Sequence, residues 1–459
     1  MKTTRFQRWI AFALALLIAL PVVAQSLRDA VDAAVSSNPE ILATVSRRLA
    51  TGEDLNQARG GYFPRVDLTG SYGQQRLNNT VSRALALSES TVERHNGSLT
   101  VSQMLFDGFA VSSEVDRQRS RYESSGYRVA SASEDIALRV VGVYLEVVRR
   151  QETAKMASEN YAAHERILDL IRRRTQSGVG RRADLDQAES RLAFAHAVMQ
   201  SEYGALRDAT ISFSKLVGRA PETLEPPVAP IELMPQNLAD AIGRAASVNP
   251  LIKGARSDIA AALAEREGAR AALMPRVDLE VSASRDYSRV IKTVQDTSAA
   301  LVLRYNLLRG GSDAAHIRSA GHAIEEAQQY LGRAEREVNE SVSLAYSSYA
   351  TARARNVSLQ RYVDSAEATR KAYATQFTIG QRTLLDLLNS ENEYFNAQLA
   401  FVQGRYTELA SVYRALASIG ILNQSLKVAT ACCNSNAAPA SAPPVVSEQP
   451  NPTPRWMLN

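Results

Sequence analysis

From Arg65 onward, apolar and polar residues alternate: Val66, Leu68, Gly70 and Tyr72 stand between Arg65, Asp67, Thr69 and Ser71. The same period of two returns where Val277, Leu279, Val281 and Ala283 stand between Arg276, Asp278, Glu280 and Ser282. Successive strand side chains point to opposite faces, so each segment presents one apolar and one polar face. Partner segments follow across polar loops. Leu99, Val101 and Leu105 are set against Ser98, Thr100 and Ser102, and Leu301, Leu303, Tyr305 and Leu307 against Val302, Arg304 and Asn306. The pattern predicts two strand hairpins, about 65–107 and about 276–308, with strands of about ten residues, the length a tilted membrane strand requires. A half-buried soluble sheet alternates in the same way.

Beyond each hairpin the period changes. Leu138, Val141, Leu145 and Val148, like Val338, Val342 and Tyr346, recur at three- and four-residue spacing, the stripe of a helix packed lengthwise on others. Proline marks where such helices can run. Pro39, Pro64, a cluster over 221–235, Pro250 and Pro275 leave 65–220 and 276–438 without any, and an interior proline would cost a helix hydrogen bond and clash with the preceding turn. Long helices are therefore predicted from about Phe109 to Thr175 and Gly311 to Gln376, each about 100 Å long at about 1.5 Å per residue. They end at Ser177-Gly-Val-Gly-Arg-Arg182 and Thr378-Ile-Gly-Gln-Arg382, after which a returning helix completes a helical hairpin, about 109–217 and about 311–418.

These elements occur twice. Leu27-Arg-Asp-Ala-Val through Asn38-Pro39 returns as Leu238-Ala-Asp-Ala-Ile through Asn249-Pro250, and Pro64-Arg-Val-Asp-Leu68 returns as Pro275-Arg-Val-Asp-Leu279. Thr175-Gln176, Arg182, Leu185 and Asp186 return as Thr375-Gln376, Arg382, Leu385 and Asp386. Ordered matches of this kind mark a tandem duplication. The expected layout is a first repeat over 25–236, closing with an equatorial linker, and a second over 237–428.

Composition narrows the class. Aromatic residues make up only 6% of the 459, which suits long helices better than a large globular core. Lys2, Arg5 and Arg8, the apolar run Ile10 to Leu20 and Val22-Val23-Ala24 predict a cleaved signal peptide over 1–24. No later segment has the apolar length of a membrane helix, so any membrane insertion is by strands. Removing the three leader charges from the net +5 leaves about +2, which gives nucleic-acid binding no support. The adjacent Cys432 and Cys433 lie in a Pro, Ala and Ser-rich stretch over 429–459, expected to be a disordered tail. His95, His164, His196, His316 and His322 have no zinc-type spacing, and Gly60-Gly61 and Gly310-Gly311 mark element junctions. No catalytic residue, metal site or cofactor is expected.

Four strands cannot close a barrel, and an open edge in hydrocarbon would strand backbone polar groups, so the chain must assemble with copies of itself. With its signal peptide, paired strand hairpins and paired helical hairpins, the chain resembles the TolC family of trimeric outer-membrane export channels over about 26–422. The most specific pieces are Gly180-Arg-Arg-Ala-Asp-Leu-Asp-Gln-Ala-Glu-Ser-Arg-Leu192 and Phe377-Thr-Ile-Gly-Gln-Arg-Thr-Leu-Leu-Asp-Leu-Leu-Asn-Ser-Glu-Asn392, the second similar to members serving type I secretion. The resemblance implies a mainly α protein with transmembrane β, each chain a tandem-duplicated protomer of a homotrimeric twelve-stranded barrel. A long helical barrel continues it across the periplasm, with Arg219 to Asn237 and Gly420 to Lys427 in an equatorial belt.

It also implies roles for the tips. Asp186 matches an acidic position that pairs with inner-hairpin basic residues to hold the periplasmic entrance closed, Arg382 matches that basic residue, and Asp386 matches an acidic ring in the pore. Two positions depart from the family pattern: Phe377 stands where a tyrosine can hydrogen-bond, and Asn389 where a second acidic ring occurs. Asp at a helix start also serves the helix dipole with no gating role. Val179, Gly180, Ile379 and Gly380 are expected to dock a periplasmic adaptor, with an ABC-type inner-membrane transporter, outer-membrane lipid and a secreted polypeptide or small-molecule cargo as further partners. The function implied is a passive, non-enzymatic duct for type I protein secretion, such as of a large adhesin. The rivals are multidrug efflux through the same duct and a periplasmic coiled-coil scaffold, which would leave the one-sided strands unexplained.

Overall fold

The computed structural model describes residues 25–76, 78, 80–84, 91–288 and 292–429. The expected signal peptide and, beyond Ala429, the expected tail with Cys432 and Cys433 lie outside the described residues.

Each repeat opens on a pair of capped helices. In the first, Ser26 and Asp29 form a capping box that starts α1 (Leu27–Ser37). Asn38 then accepts from the backbone N–H of Glu40, and Pro39 occupies the first turn of α2 (Pro39–Gly60). Asparagine as N-cap and proline just inside satisfy and pre-shape a helix start. The duplicate Asn249-Pro250 does the same between α6 (Leu238–Val248) and α7 (Pro250–Arg270).

Strand hairpins follow Pro64 and Pro275. They comprise β1 (Arg65–Arg76), β2 (Thr91–Phe106), β3 (Arg276–Ser288) and β4 (Lys292–Arg304), with a short helix α3 (Thr80–Ala84) between β1 and β2. All four form one antiparallel sheet in sequence order, so β2 pairs with β3 and the two repeats join there. β4 stops at Arg304, opposite Arg276, and the expected extension through Tyr305 and Leu307 leaves the ladder. The partner strand begins just after Pro275, whose missing N–H ends the pairing. The expected phase through Leu105 also breaks, because a bulge between Met104 and Phe106 puts Phe106 opposite Val277.

The helices reproduce the duplication to the residue. α4 (Ala110–Gln176) and α8 (Ser312–Thr378) have 67 residues each, and the returning α5 (Arg182–Val217) and α9 (Leu384–Ile419) have 36 each. α4 packs along α2, α5, α7 and α9, and α8 packs along α7 and α9. Gly218 at the end of α5 lies against Ser37, and Asn249 donates to the carbonyl of Ser418 at 2.9 Å near the end of α9. Short and returning helices thus meet end to end, giving four helical columns per chain.

The main core lies where these columns meet. Val31, Ile41, Val140, Tyr144, Phe213, Leu416, Ile419 and Leu422 are buried together there. Three tyrosines from the columns hold the 219–237 linker by its backbone. Tyr144 donates to the carbonyls of Gln25 or Glu225 at 2.8 and 2.7 Å, Tyr346 to Pro235 at 2.7 Å and Tyr413 to Val228 at 3.1 Å. Burial pushes the Tyr346 and Tyr413 phenols up to about 12, so they stay donors.

The short helix α10 (Leu422–Ser425) is tied to the first repeat by Glu134 of α4, whose carboxylate accepts from the backbone N–H of Leu422 at 2.9 Å and of Asn423 at 3.1 Å. Burial pushes Glu134 up to about 7, against the pull of those two donors. An acid raised on folding binds its proton more tightly in the native state, so stability falls as pH rises from about 4.5 through about 7 and levels off above. The loss is expected to reach about 3 kcal/mol per chain. Urea unfolding of Glu134→Gln across that range should show the step flattened; a step equal to the parent's would place its origin elsewhere.

Candidate functional site

The sheet has two chemically distinct faces. Cross-strand register aligns Val66, Val101, Val281 and Ala299 in one row, Leu68, Leu99, Ala283 and Thr297 in the next, and Leu279 with Leu301 beside them. This apolar face is bare: Val66, Leu68, Leu279 and Leu301 are 61, 81, 38 and 69% exposed. Leaving such rows in water is costly, so the face requires an apolar surrounding. Tyr72, His95 and Tyr287 bound it at the far end, while Phe106 and Phe109 pack edge to face near the helices. An apolar band between aromatic rows is the outer surface of a membrane barrel.

The opposite face is polar. Asp67, Thr100, Ser282 and Ser298 share a row, as do Thr69, Ser98, Ser284 and Asp296. The duplicated Arg-Val-Asp pieces act alike: Arg65 donates to Asp67 at 2.7 Å and Arg276 to Asp278 at 2.8 Å. Arg304 adds a second donor to Asp278, at 2.6 Å, and also pairs with Glu280. Nearest the far end, Arg94 pairs with Asp286 on this face. β1 and β4 remain open edges within one chain.

At the other extreme of the molecule the helical hairpins turn. The first turn takes its left-handed step at Gly178, with φ 77°, whereas the second takes it at Gly380, with φ 79°. Gly180, the sequence counterpart of Gly380, serves differently. A Cβ there would come within 2.8 Å of the Thr175 backbone nitrogen, while the Gly180 N–H donates to the carbonyl of Arg174. Val179 and Ile379 stand out from the turns at 81 and 63% exposure.

The expected gate residues are placed as follows. Asp186 lies 3.6 Å from Arg182 on its own helix and is largely exposed. Arg382 stacks over the Tyr373 ring at 4.3 Å and donates to Gln376 at 3.0 Å. Within one chain, no hydrogen bond or ion pair joins Asp186 to Arg382 among the described residues. Asp386 closes a capping box with Thr383, accepting its hydroxyl at 2.9 Å. The Thr383 hydroxyl and N–H, with Arg382 nearby, hold this carboxyl below the usual carboxylate range. Phe377 is buried against Ile167, Leu168, Ile171, Ala188, Leu384, Leu387 and Leu388, where the two hairpins pack together.

Sequence reasoning missed the contacts that cross between the hairpins. The Arg174 guanidinium lies 4.8 Å from the centre of the Phe377 ring and donates to the Thr378 carbonyl at 3.4 Å. Arg191 donates to the Asn389 side chain at 3.3 Å. The phenyl ring thus meets a cation where a phenol would offer a hydroxyl, and Asn389 accepts from an arginine without a charge of its own. The basic run Arg172-Arg173-Arg174 beside the turn was the available signal, but its partner lies on the other repeat.

A one-sided sheet with open edges, carried on four helical columns about 100 Å long, defines a strand-anchored channel protomer. The chain belongs to the outer membrane efflux protein family, which it matches over residues 30–219 and 241–420. It is 24% identical over 403 residues to the outer membrane efflux protein BepC of Brucella suis, covering 87% of this chain and 86% of that one. Against the alkaline protease secretion protein AprF of Pseudomonas aeruginosa it is 25% identical over 444 residues, covering 93 and 90%. The solved Campylobacter jejuni CmeC outer membrane channel aligns with TM-score 0.75 at 15% identity, covering 86% of both chains, and shares the fold. The protein is therefore an outer-membrane channel with a periplasmic helical extension, a transport conduit rather than an enzyme. Channels of this family form trimers and work with an adaptor and an inner-membrane transporter.

Proposed function

We propose that this channel is the outer-membrane duct of a type I secretion system, receiving an unfolded polypeptide from an ABC-type transporter through an adaptor. The likeness to AprF, a protease secretion protein, along nearly the whole chain carries the choice of cargo. The likeness to BepC favours efflux as the second reading. Fold alone does not separate them. Deleting the gene and comparing the secreted proteome with resistance to dyes and antibiotics does. Loss of one large secreted protein with resistance intact is expected, and broad sensitisation with an unchanged proteome would make it an efflux duct. The organisation proposed with this reading is a leader over 1–24, repeats over 25–236 and 237–428, and a tail from 429.

Adaptor docking is proposed at the two turns, the points farthest from the sheet. Cysteine at Val179 or Ile379 should crosslink to the adaptor in cells, and cysteine at Thr80, at the start of α3 between β1 and β2, should not. Equal crosslinking at all three sites would remove the support for this orientation.

The gate proposed here is intermolecular. Arg382 and Asp186 share no hydrogen bond or ion pair among the described residues of one chain, so a latch between them must form across neighbouring copies, while three Asp386 carboxylates focus negative potential in the mouth. Arg382→Ser should raise single-channel conductance, and Asp386→Ala should weaken cation preference and block by multivalent cations. If neither property moves in planar bilayers, these residues serve helix starts only.

A further inference from the structure

One arginine on the apolar face of the sheet is unexplained by the channel. Strand alternation puts Arg285 on the same face as Leu279, Val281 and Ala283, and it is exposed. Its neighbour Arg94 is engaged by Asp286 on the polar face, whereas Arg285 has no hydrogen bond or ion pair among the described residues. Register places it opposite Gly97 on β2 and Gln295 on β4, with Gly70 beyond Gly97 on β1. A Cβ at Gly70 or Gly97 would meet nothing within 4 Å, so a recess floored by backbone opens beside the guanidinium.

The walls of that recess are amphipathic. On the side away from the helices stand Tyr72, His95 and Tyr287, with successive ring centres 4.8 and 5.8 Å apart. On the other side lie Leu68 and Leu99, at the end of the apolar band. Because the helices occupy the periplasm, this end of the sheet lies in the outer leaflet. Arg285 and the floor glycine Gly97 are on the two inner strands, so closing the barrel through β1 and β4 leaves them open to lipid.

We propose that this patch binds the phosphorylated sugar headgroup of an outer-leaflet glycolipid. The guanidinium fork suits two phosphate oxygens at once, which a bare cation at the lipid boundary otherwise lacks. The sugar fills the recess under the aromatic row, and the acyl chains continue over Leu68 and Leu99 along the band already assigned to lipid. Charge and apolar surface are thus matched by one molecule, in the order that molecule has them.

The test uses the full-length trimer in nanodiscs containing lipid A with both phosphates, or lipid A stripped of them, with retained lipid counted by native mass spectrometry. The parent protein should keep phosphorylated lipid A, about one per chain, and hold the stripped form at least about ten-fold less. Arg285→Gln should lose the preference, and Gly97→Leu, which fills the recess, should lower retention. Recovery of intact trimer reports the barrel separately from lipid binding. Equal retention of both lipids by the parent overturns the proposal without any variant, as does full retention by a trimeric Arg285→Gln. Displacement of the lipid by millimolar inorganic phosphate would make the patch a free-phosphate site instead.

Discussion

Arginine placed at Leu68 or Leu279 is expected to cost about 2 to 4 kcal/mol near the membrane midplane and to sharply reduce the yield of trimer. Both side chains belong to the apolar rows, Leu68 81% and Leu279 38% exposed, where no water is at hand to solvate a guanidinium. The same substitution at Thr100 or Ser282, one residue out of phase on the polar face, should be tolerated. Heat-modifiable trimer on gels and the detergent requirement for solubility measure the difference. Equal yields on both faces would mean that the sheet does not contact lipid.

That contrast rests on a pattern readable from the chain alone, as do most of the elements. Period-two alternation, the Asn-Pro caps and the long proline-free stretches act locally, and α4 and α8 fall within a few residues of their expected bounds. What escaped is what depends on residues far apart. Tyr144 meets the linker at Glu225 across 81 positions, and Arg191 meets Asn389 across 198. No local pattern announces a hydroxyl reaching a distant carbonyl. The bulge at Met104 and Phe106 was hidden because one extra residue changes pairing without changing composition. At the tips, the resemblance supplied roles for Asp186 and Arg382, while the contacts around them are set by Arg182, Tyr373 and Gln376.

Phe377→Ala is expected to have the largest effect at the periplasmic entrance, removing about 3 to 5 kcal/mol of packing. The ring is 6% exposed in the cluster that joins the two hairpins and carries the Arg174 guanidinium on its face. Its loss frees both hairpin ends together, whereas the equatorial core is a separate cluster and should keep the protomer assembled. Raised basal conductance and entry of bulky antibiotics, with trimer yield near that of the parent, are the expected readouts. An unchanged barrier would show that the tip core does not hold the entrance shut. Phe377→Tyr should retain the barrier, because the added hydroxyl leaves the ring beneath Arg174.

Open strand edges on separate chains close into a single pore continued by the helices. Single-channel recording from purified protein of defined oligomeric state tests this most directly. Trimers inserted in a planar bilayer should open one conductance unit per particle, with access from the helical side sensitive to thiol reagents at a cysteine introduced at Val179. Protein that sediments as a monomer without detergent and gives no conductance would rule out a barrel shared between chains.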